Sequence, residues 1–262
     1  MRFFYAEFVK TRKNILFKII HIAYILVIAT ILYYKTADPN SYNYYPKSVT
    51  FSNILLCNSL AFTAFTPALA FFVYSSTIIN EVNNDTFKHL LMCYSKSKVI
   101  VKKFIFCTLF FLVDYIIIVF ISGLEALIFN GSLSGLTLKT FFYSFTAVFL
   151  TYVLYGLYAF ICSIVTLKYQ PVVLLFLLYF LRNNIDNYIN VFSKLFFNDH
   201  IKNITYHAFN TVNEIPNNTV ACTIVPQGIG VSYSYFIIII AILTGTFIFS
   251  LYTNLTLSKI EL

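Results

Sequence analysis

The sequence predicts an all-α membrane protein with six transmembrane helices, and three observations lead to that fold class. Of its 262 residues, 59% are hydrophobic and only 11% are charged, whereas a soluble domain usually carries about a quarter charged residues. Several apolar runs reach the length of about 18 residues that a helix needs to cross a bilayer. The basic residues behind the net charge of +8 lie at the ends of these runs, a distribution that orients membrane proteins and does not form a nucleic-acid surface.

The N-terminal segment, residues 1–14, is predicted to be an interfacial helix. At helical spacing, Phe4, Tyr5, Phe8 and Val9 share one side. The opposite side is formed by Arg2, Ala6, Lys10 and Lys13. Such a helix lies in the headgroup layer with its aromatic side chains toward the acyl chains. The alternative is a basic flank that only orients the first span.

Six apolar segments follow as transmembrane spans of a single domain, residues 1–262. Their approximate bounds are 15–34, 51–79, 104–129, 141–167, 171–192 and 233–253. In the second span, Pro67 removes a helical hydrogen bond near the middle, and small residues allow either close helix packing or a substrate groove. The fifth span crosses the membrane only if its helix continues beyond Leu181 through Arg182 and Asp186, which are four residues apart and can pair. An outer helical segment is expected between the fifth and sixth spans.

The third span contains two acidic residues, Asp114 and Glu125. Eleven residues are close to three helical turns, so both side chains are expected to point the same way. Acids in lipid are costly and usually face the bundle interior or a water-filled cavity. Two interpretations follow: a structural polar contact, or a role on a transport path.

The distribution of basic residues orients the chain. Twelve of the eighteen Lys and Arg residues fall on one side of the six predicted spans, and the other six are spread over three outer segments. The twelve are Arg2, Lys10, Arg12, Lys13, Lys18, Lys88, Lys96, Lys98, Lys102, Lys103, Lys168 and Lys259. Since the side rich in Lys and Arg is cytoplasmic, both termini are expected in the cytoplasm.

Motifs for catalysis are missing from the sequence. It contains no GxxxxGK[ST] phosphate-binding loop, no HExxH, no CxxC pair and no adjacent glutamates. These absences argue against an ATPase, a zinc protease, a metal site and a two-glutamate membrane protease. The chain is therefore not expected to be an enzyme or to bind a cofactor, and any energy for work comes from elsewhere.

The longest polar interruption in the first half of the chain, residues 80–103, lies between the second and third spans and carries five lysines. Two sets of residues in this loop and in the N-terminal segment form a recognisable pattern: Ala6-Glu7-Phe8-Val9-Lys10, Arg12 and Lys13 at the start, and Glu81, Asn84-Asp85-Thr86, Leu90-Leu91, Ser97-Lys98 and Lys102 in the loop. These residues resemble the permease subunit of ABC-2 type ABC transporters, and the layout of nearly the whole chain agrees with that family.

The resemblance implies that the loop forms a cytoplasmic coupling helix that docks on a separate ATPase subunit. Asp85 and Thr86 are residue types that cap helix N-termini. The apolar residues after them are spaced to fill a groove on a partner. The residues assigned to this contact are Glu81, Asp85, Thr86, Phe87, Lys88, Leu90, Leu91, Tyr94 and Lys98. The alternative is a basic amphipathic helix on anionic lipid.

The resemblance further implies a multi-pass protein of the plasma membrane, bacterial in origin, that pairs with a second copy or a sister permease. ATP and Mg²⁺ would be bound by the partner subunit. The path would lie between the two permeases, lined by the second and fifth spans, and would carry a hydrophobic or amphipathic cargo. Size and composition resemble lantibiotic or antimicrobial-peptide export and self-protection permeases. The alternatives are an ion- or proton-coupled transporter that uses Asp114 and Glu125, and a membrane immunity protein that transports nothing.

Overall fold

The structure, a computed structural model, confirms an all-α fold, since the part of the chain that it describes is helical and contains no strand. It describes residues 2–15, 18–19, 21–23, 25–26, 51–84, 89–90, 92, 94–130, 138–186, 197, 200–201, 203–204 and 231–255. Six helices form the frame: α1 (Arg2–Lys13), α2 (Phe51–Asn83), α3 (Lys96–Asn130), α4 (Leu138–Thr166), α5 (Tyr169–Asp186) and α6 (Val231–Leu255).

Three stretches of the described helices are long and apolar enough to cross a membrane. They are Lys98–Ile128 in α3, Phe141–Thr166 in α4 and Ser232–Phe249 in α6, and they correspond to the third, fourth and sixth predicted spans. The apolar part of α5, Tyr169–Tyr179, is shorter, as the sequence predicts for the fifth span. Residues 27–34 of the predicted first span and 187–196 of the predicted outer segment lie outside the described residues.

Helices α2 and α3 extend beyond the apolar spans predicted for them. At the end of α2, the amide of Asn84 donates to the carbonyl of Asn80 at 3.1 Å, and at the start of α3 the amide of Val99 donates to the carbonyl of Ser95 at 3.1 Å. Backbone hydrogen bonding thus continues past the point where the side chains become polar. The predicted loop, residues 80–103, is corrected to residues 84–95, and Glu81 and Lys98 lie on helices.

Helix α2 packs most extensively against α4, with further contacts to α3 and α5. At the centre of this packing, the buried ring of Tyr74 contacts the rings of Phe104, Tyr152 and Phe160 at centroid distances of 5.3, 5.4 and 6.0 Å. A Cβ atom at Gly156 would lie 2.2 Å from a ring carbon of Tyr74. A residue without a side chain is therefore required at this helix crossing. Since α2 carries the last residues before the loop, this packing fixes one side of the loop's base.

Helix α1 turns a face that carries an acidic residue toward the bundle. Phe3, Glu7 and Thr11 are buried, and they follow one another at the i, i+4 spacing of a single helical face. Tyr5 and Phe8 are 73% and 53% exposed. The acid belongs to the buried face because its charge is paired there, and the exposed aromatic residues are available to lipid.

Candidate functional site at the base of the loop

Four charged residues from three helices form a closed ring beneath the loop. Glu7 and Lys10 lie on α1, Glu81 lies in the last turn of α2, and Lys103 lies near the start of α3. The loop leaves the bundle two residues after Glu81 and returns shortly before Lys103. We call Glu7, Lys10, Glu81 and Lys103 the charge ring.

Within the charge ring, each carboxylate uses one oxygen for each lysine. Lys10 Nζ lies 2.7 Å from Glu81 Oε1 and 3.5 Å from Glu7 Oε1. Lys103 Nζ lies 2.7 Å from Glu81 Oε2 and 3.2 Å from Glu7 Oε2. Positive and negative groups alternate around the ring, and its formal charge is zero. This arrangement supplies the pairing that buried charges require.

The two lysines of the charge ring differ in their burial. The side chain of Lys103 is 0% exposed, whereas that of Lys10 is 42% exposed. Lys103 also donates a hydrogen bond to the carbonyl of Thr77 on α2 at 3.1 Å. The Lys103 ammonium group thus donates hydrogen bonds to Glu7 on α1 and to the carbonyl of Thr77 on α2, and it forms an ion pair with Glu81. Lys103 is the buried centre of the contact, and Lys10 closes it toward the solvent.

Lys10 remains charged in this environment. Burial by itself would lower the pKa of Lys10, but hydrogen bonding to Glu81 and attraction to the carboxylates of Glu81 and Glu7 raise that pKa above its ordinary value. An ion pair of this kind adds little net stability over an apolar contact, yet removing one buried partner is expensive. The charge ring therefore fixes the relative position of α1, α2 and α3 more than it strengthens the fold.

A second contact beside the charge ring joins the end of the loop to α1. Lys102 Nζ lies 4.3 Å from the ring centroid of Tyr94 and 5.3 Å from that of Phe3. The rings of Phe3 and Tyr94 meet edge-to-face at 6.1 Å. Cation–π and aromatic contacts of this geometry are attractive. These contacts hold Tyr94, near the end of the loop, against α1.

Among the residues assigned from the sequence to an ATPase contact, Glu81 is buried in the charge ring. The amide of Tyr94 donates to the carbonyl of Leu90 at 3.0 Å, which closes one helical turn within the loop. Leu90 is half-buried, Lys98 is exposed, and the side chain of Met92 beside them is 81% exposed. Asp85, Thr86, Phe87, Lys88 and Leu91 lie outside the described residues. The base of the loop is thus rigidly connected while part of its surface faces outward.

Both acids of the third span are buried on the continuous helix α3, and each has a different partner. Asp114 is buried, and its Oδ1 lies 3.3 Å from Nε2 of His21. Glu125 is buried near the C-terminal end of α3. There, Asn58 Nδ2 donates to Glu125 Oε2 at 3.0 Å and to Ser122 Oγ at 2.9 Å. Each acid therefore has its own partner in the chain.

The other residues predicted for the transport path lie on α2 and α5. Pro67 is buried within the continuous helix α2. Arg182 and Asp186 lie in the last turns of α5, and their side chains lie outside the described residues. Among the described residues, no group of three or more His, Cys, Asp or Glu residues is placed to hold a metal ion.

Sequence reasoning missed three members of the charge ring as partners of Glu81: Glu7, Lys10 and Lys103. One signal was present, because Phe3, Glu7 and Thr11 recur at a spacing that places them on one helical face. The pairing itself has no sequence signature, since 71 residues separate Lys10 from Glu81 and 96 separate Glu7 from Lys103.

Comparison with known families gives a match. Residues 3–183, more than half of the chain, match the family described as ABC-2 family transporter protein. The matched region contains α1 to α4 with the complete charge ring, and it ends within α5. Comparisons with curated proteins and with solved structures give no match.

Proposed function

Because the chain belongs to the ABC-2 family of transporter proteins, we propose that it is the membrane-spanning permease subunit of an ATP-driven transporter. In this proposal, a separate cytoplasmic ABC ATPase docks on the loop and binds ATP and Mg²⁺, while the permease carries out no chemistry. The observation that carries the proposal is the charge ring. It joins both ends of the loop to α1, so a force on the loop moves three helices together.

The proposed arrangement has six spans, and both termini and the loop face the cytoplasm. Basic residues support this orientation, since the exposed Arg12, Lys13 and Lys98 lie on the side that the distribution of Lys and Arg assigns to the cytoplasm. The exposed Tyr5 and Phe8 then contact the acyl chains beside anionic headgroups. Membrane lipid is accordingly a partner of α1 in this proposal.

We further propose that two permeases, identical or sister subunits, enclose the path, and that the cargo is hydrophobic or amphipathic. Helices α3, α5 and α6 carry many exposed apolar residues. This supports a path and a subunit contact that are lined mainly by apolar side chains. An antimicrobial peptide such as a lantibiotic is one cargo of this class. Export or clearance from the bacterial plasma membrane is the corresponding physiological role.

Co-purification tests this proposal. The chain is co-expressed with the ABC ATPase subunits of its own genome and extracted in a mild detergent. The expected result is a stable complex, which Phe87→Asp and Leu91→Asp disrupt because each places a charge in an apolar docking surface. Leu138→Asp is the matched control, since Leu138 is 87% exposed at the opposite end of the bundle. A chain that never retains the ATPase, or a complex that both Asp variants leave intact, contradicts the proposal.

A second candidate function is transport coupled to protons or ions, and the buried Asp114–His21 pair is the observation that favours it. Intramembrane acids often form proton pathways. Asp114→Asn and Glu125→Gln, which keep the size of each side chain, separate the two functions. Retained transport in the double variant removes the second candidate, whereas lost transport with normal assembly supports it.

A further inference from the structure

The last turn of α2 makes a second contact beside the charge ring, with α5. The hydroxyl of Tyr169, the first residue of α5, donates a hydrogen bond to Asn80 Oδ1 at 2.6 Å. Asn80 directly precedes Glu81, which belongs to the charge ring. Two adjacent residues thus connect the end of α2 to α1 and α3 on one hand and to α5 on the other.

The connection between α4 and α5 is short and strained. It consists of Leu167 and Lys168, and Leu167 adopts a φ of 53°, in the left-handed region that is unfavourable for residues other than glycine. The amide of Leu167 donates to the carbonyl of Ser163 at 2.9 Å and so ends α4. A two-residue connection leaves α5 little freedom unless this backbone changes. Strain of this kind persists only where the surrounding structure imposes it.

We propose that Asn80 and Tyr169 are positioning residues that transmit movement of the loop to α5, with Leu167 as the hinge between α4 and α5. The inference rests on the proposed function. Its geometric basis is the continuity of contacts from the loop through the end of α2 to the first residue of α5. Farther along α5, Phe176 and Tyr179 meet the ring of Phe71 on α2 at 6.4 and 6.2 Å. Helix α5 therefore responds at its cytoplasmic end while its middle stays packed on α2.

Spin labels on α3 and α5 measure this transmission in the complex with its ATPase, reconstituted in lipid. The labels are attached to cysteines that replace Leu109 on α3 and Gln170 at the cytoplasmic end of α5, which are both exposed, in a chain whose five native cysteines are replaced. In a complex with two copies, labelled chains are diluted with unlabelled ones. The distance distribution is recorded without nucleotide and with ATP, Mg²⁺ and vanadate. A clear shift between the two states is expected.

Tyr169→Phe removes the hydroxyl and keeps the ring. We expect the equilibrium between the two distances in the ATP state to change by about fivefold, the effect of one lost neutral hydrogen bond, while ATP hydrolysis and assembly remain. Asn80→Ala is expected to act in the same way, and combining it with Tyr169→Phe adds nothing, because both remove one bond. Effects that add fully would overturn the inference.

Tyr115→Phe is the matched control, because its hydroxyl also makes a hydrogen bond, at 3.1 Å to Ser144 Oγ, away from the loop. The control is expected to keep the shift of the parent. If Tyr169→Phe also keeps it, or if the control loses it to the same extent, Tyr169 does not transmit movement and the inference is wrong. A parent complex that hydrolyses ATP without any shift contradicts the inference alone. A parent that forms no complex with the ATPase overturns the proposed function itself.

Discussion

Replacing Lys103 by methionine tests how the charge ring is built. Methionine has a similar length and no charge, so the change removes the ammonium group and leaves the volume nearly filled. In the parent, Lys103 is fully buried and contacts Glu7, Glu81 and the carbonyl of Thr77 at 3.2, 2.7 and 3.1 Å. In Lys103→Met, the half-exposed Lys10 is the only described cation left in the charge ring, facing two buried carboxylates.

The size of the effect follows from the burial of the two lysines. Removing one partner of a buried ion pair costs about 3–5 kcal/mol, whereas an ion pair near the surface is worth about 0–1 kcal/mol. Lys103→Met is therefore expected to lower the melting temperature much more than Lys10→Met, by on the order of 10 °C if each kcal/mol shifts it by about 2–4 °C. Melting of the detergent-solubilised chain, followed by size-exclusion chromatography after heating, measures both shifts.

A compensating variant separates lost charge balance from lost packing. Lys103→Met combined with Glu81→Gln removes one positive and one negative group and restores the neutrality of the ring. We expect this double variant to melt at a higher temperature than Lys103→Met alone, because an uncompensated buried charge has been removed. Equal shifts for the Lys103 and Lys10 variants, or a double variant less stable than Lys103→Met, would refute this reasoning.

Two further predictions concern packing and pH. Gly156→Ala is expected to cost about 1–3 kcal/mol through overpacking and so to lower the melting temperature, because its Cβ would lie 2.2 Å from the Tyr74 ring. Gly245→Ala is expected to cost less, because its Cβ would lie 2.4 Å from the flexible end of the Leu157 side chain. From neutral pH up to the ordinary lysine pKa of 10.5, the stability difference between the parent and Lys10→Met is expected to be constant. It should shrink only as pH rises through the higher folded value and Lys10 loses its charge.

The sequence predicts the fold class well because membrane solvation leaves a direct signature. Long apolar runs identify α3, α4 and α6, and the shortness of the apolar run after Pro171 anticipates the short apolar part of α5. Helix ends are harder to predict, because α2 and α3 continue beyond the apolar residues through backbone hydrogen bonds near Asn80 and Ser95. Hydropathy reports the position of lipid and does not report where a helix stops.

The candidate site is only partly accessible to sequence reasoning. The loop is visible as a polar interruption, and Glu81 can be singled out beside it. Its partners Glu7 and Lys103 cannot be identified, because tertiary packing alone brings their helices together. The same holds for the contact from Tyr169 to Asn80, which joins residues 89 positions apart. Local periodicity predicts faces of helices, whereas partners across helices require the fold.

Photo-crosslinking from the loop tests the central claim, that this chain receives force from a separate ATPase, most directly. A photoreactive amino acid is placed at Met92, which is 81% exposed in the loop, and at Leu138, which is 87% exposed at the other end of the bundle. The chain is co-expressed with the ABC ATPase with which it co-purifies. The proposal predicts a covalent adduct with that ATPase from Met92 and none from Leu138. No adduct from Met92, or equal adducts from both positions, would contradict it.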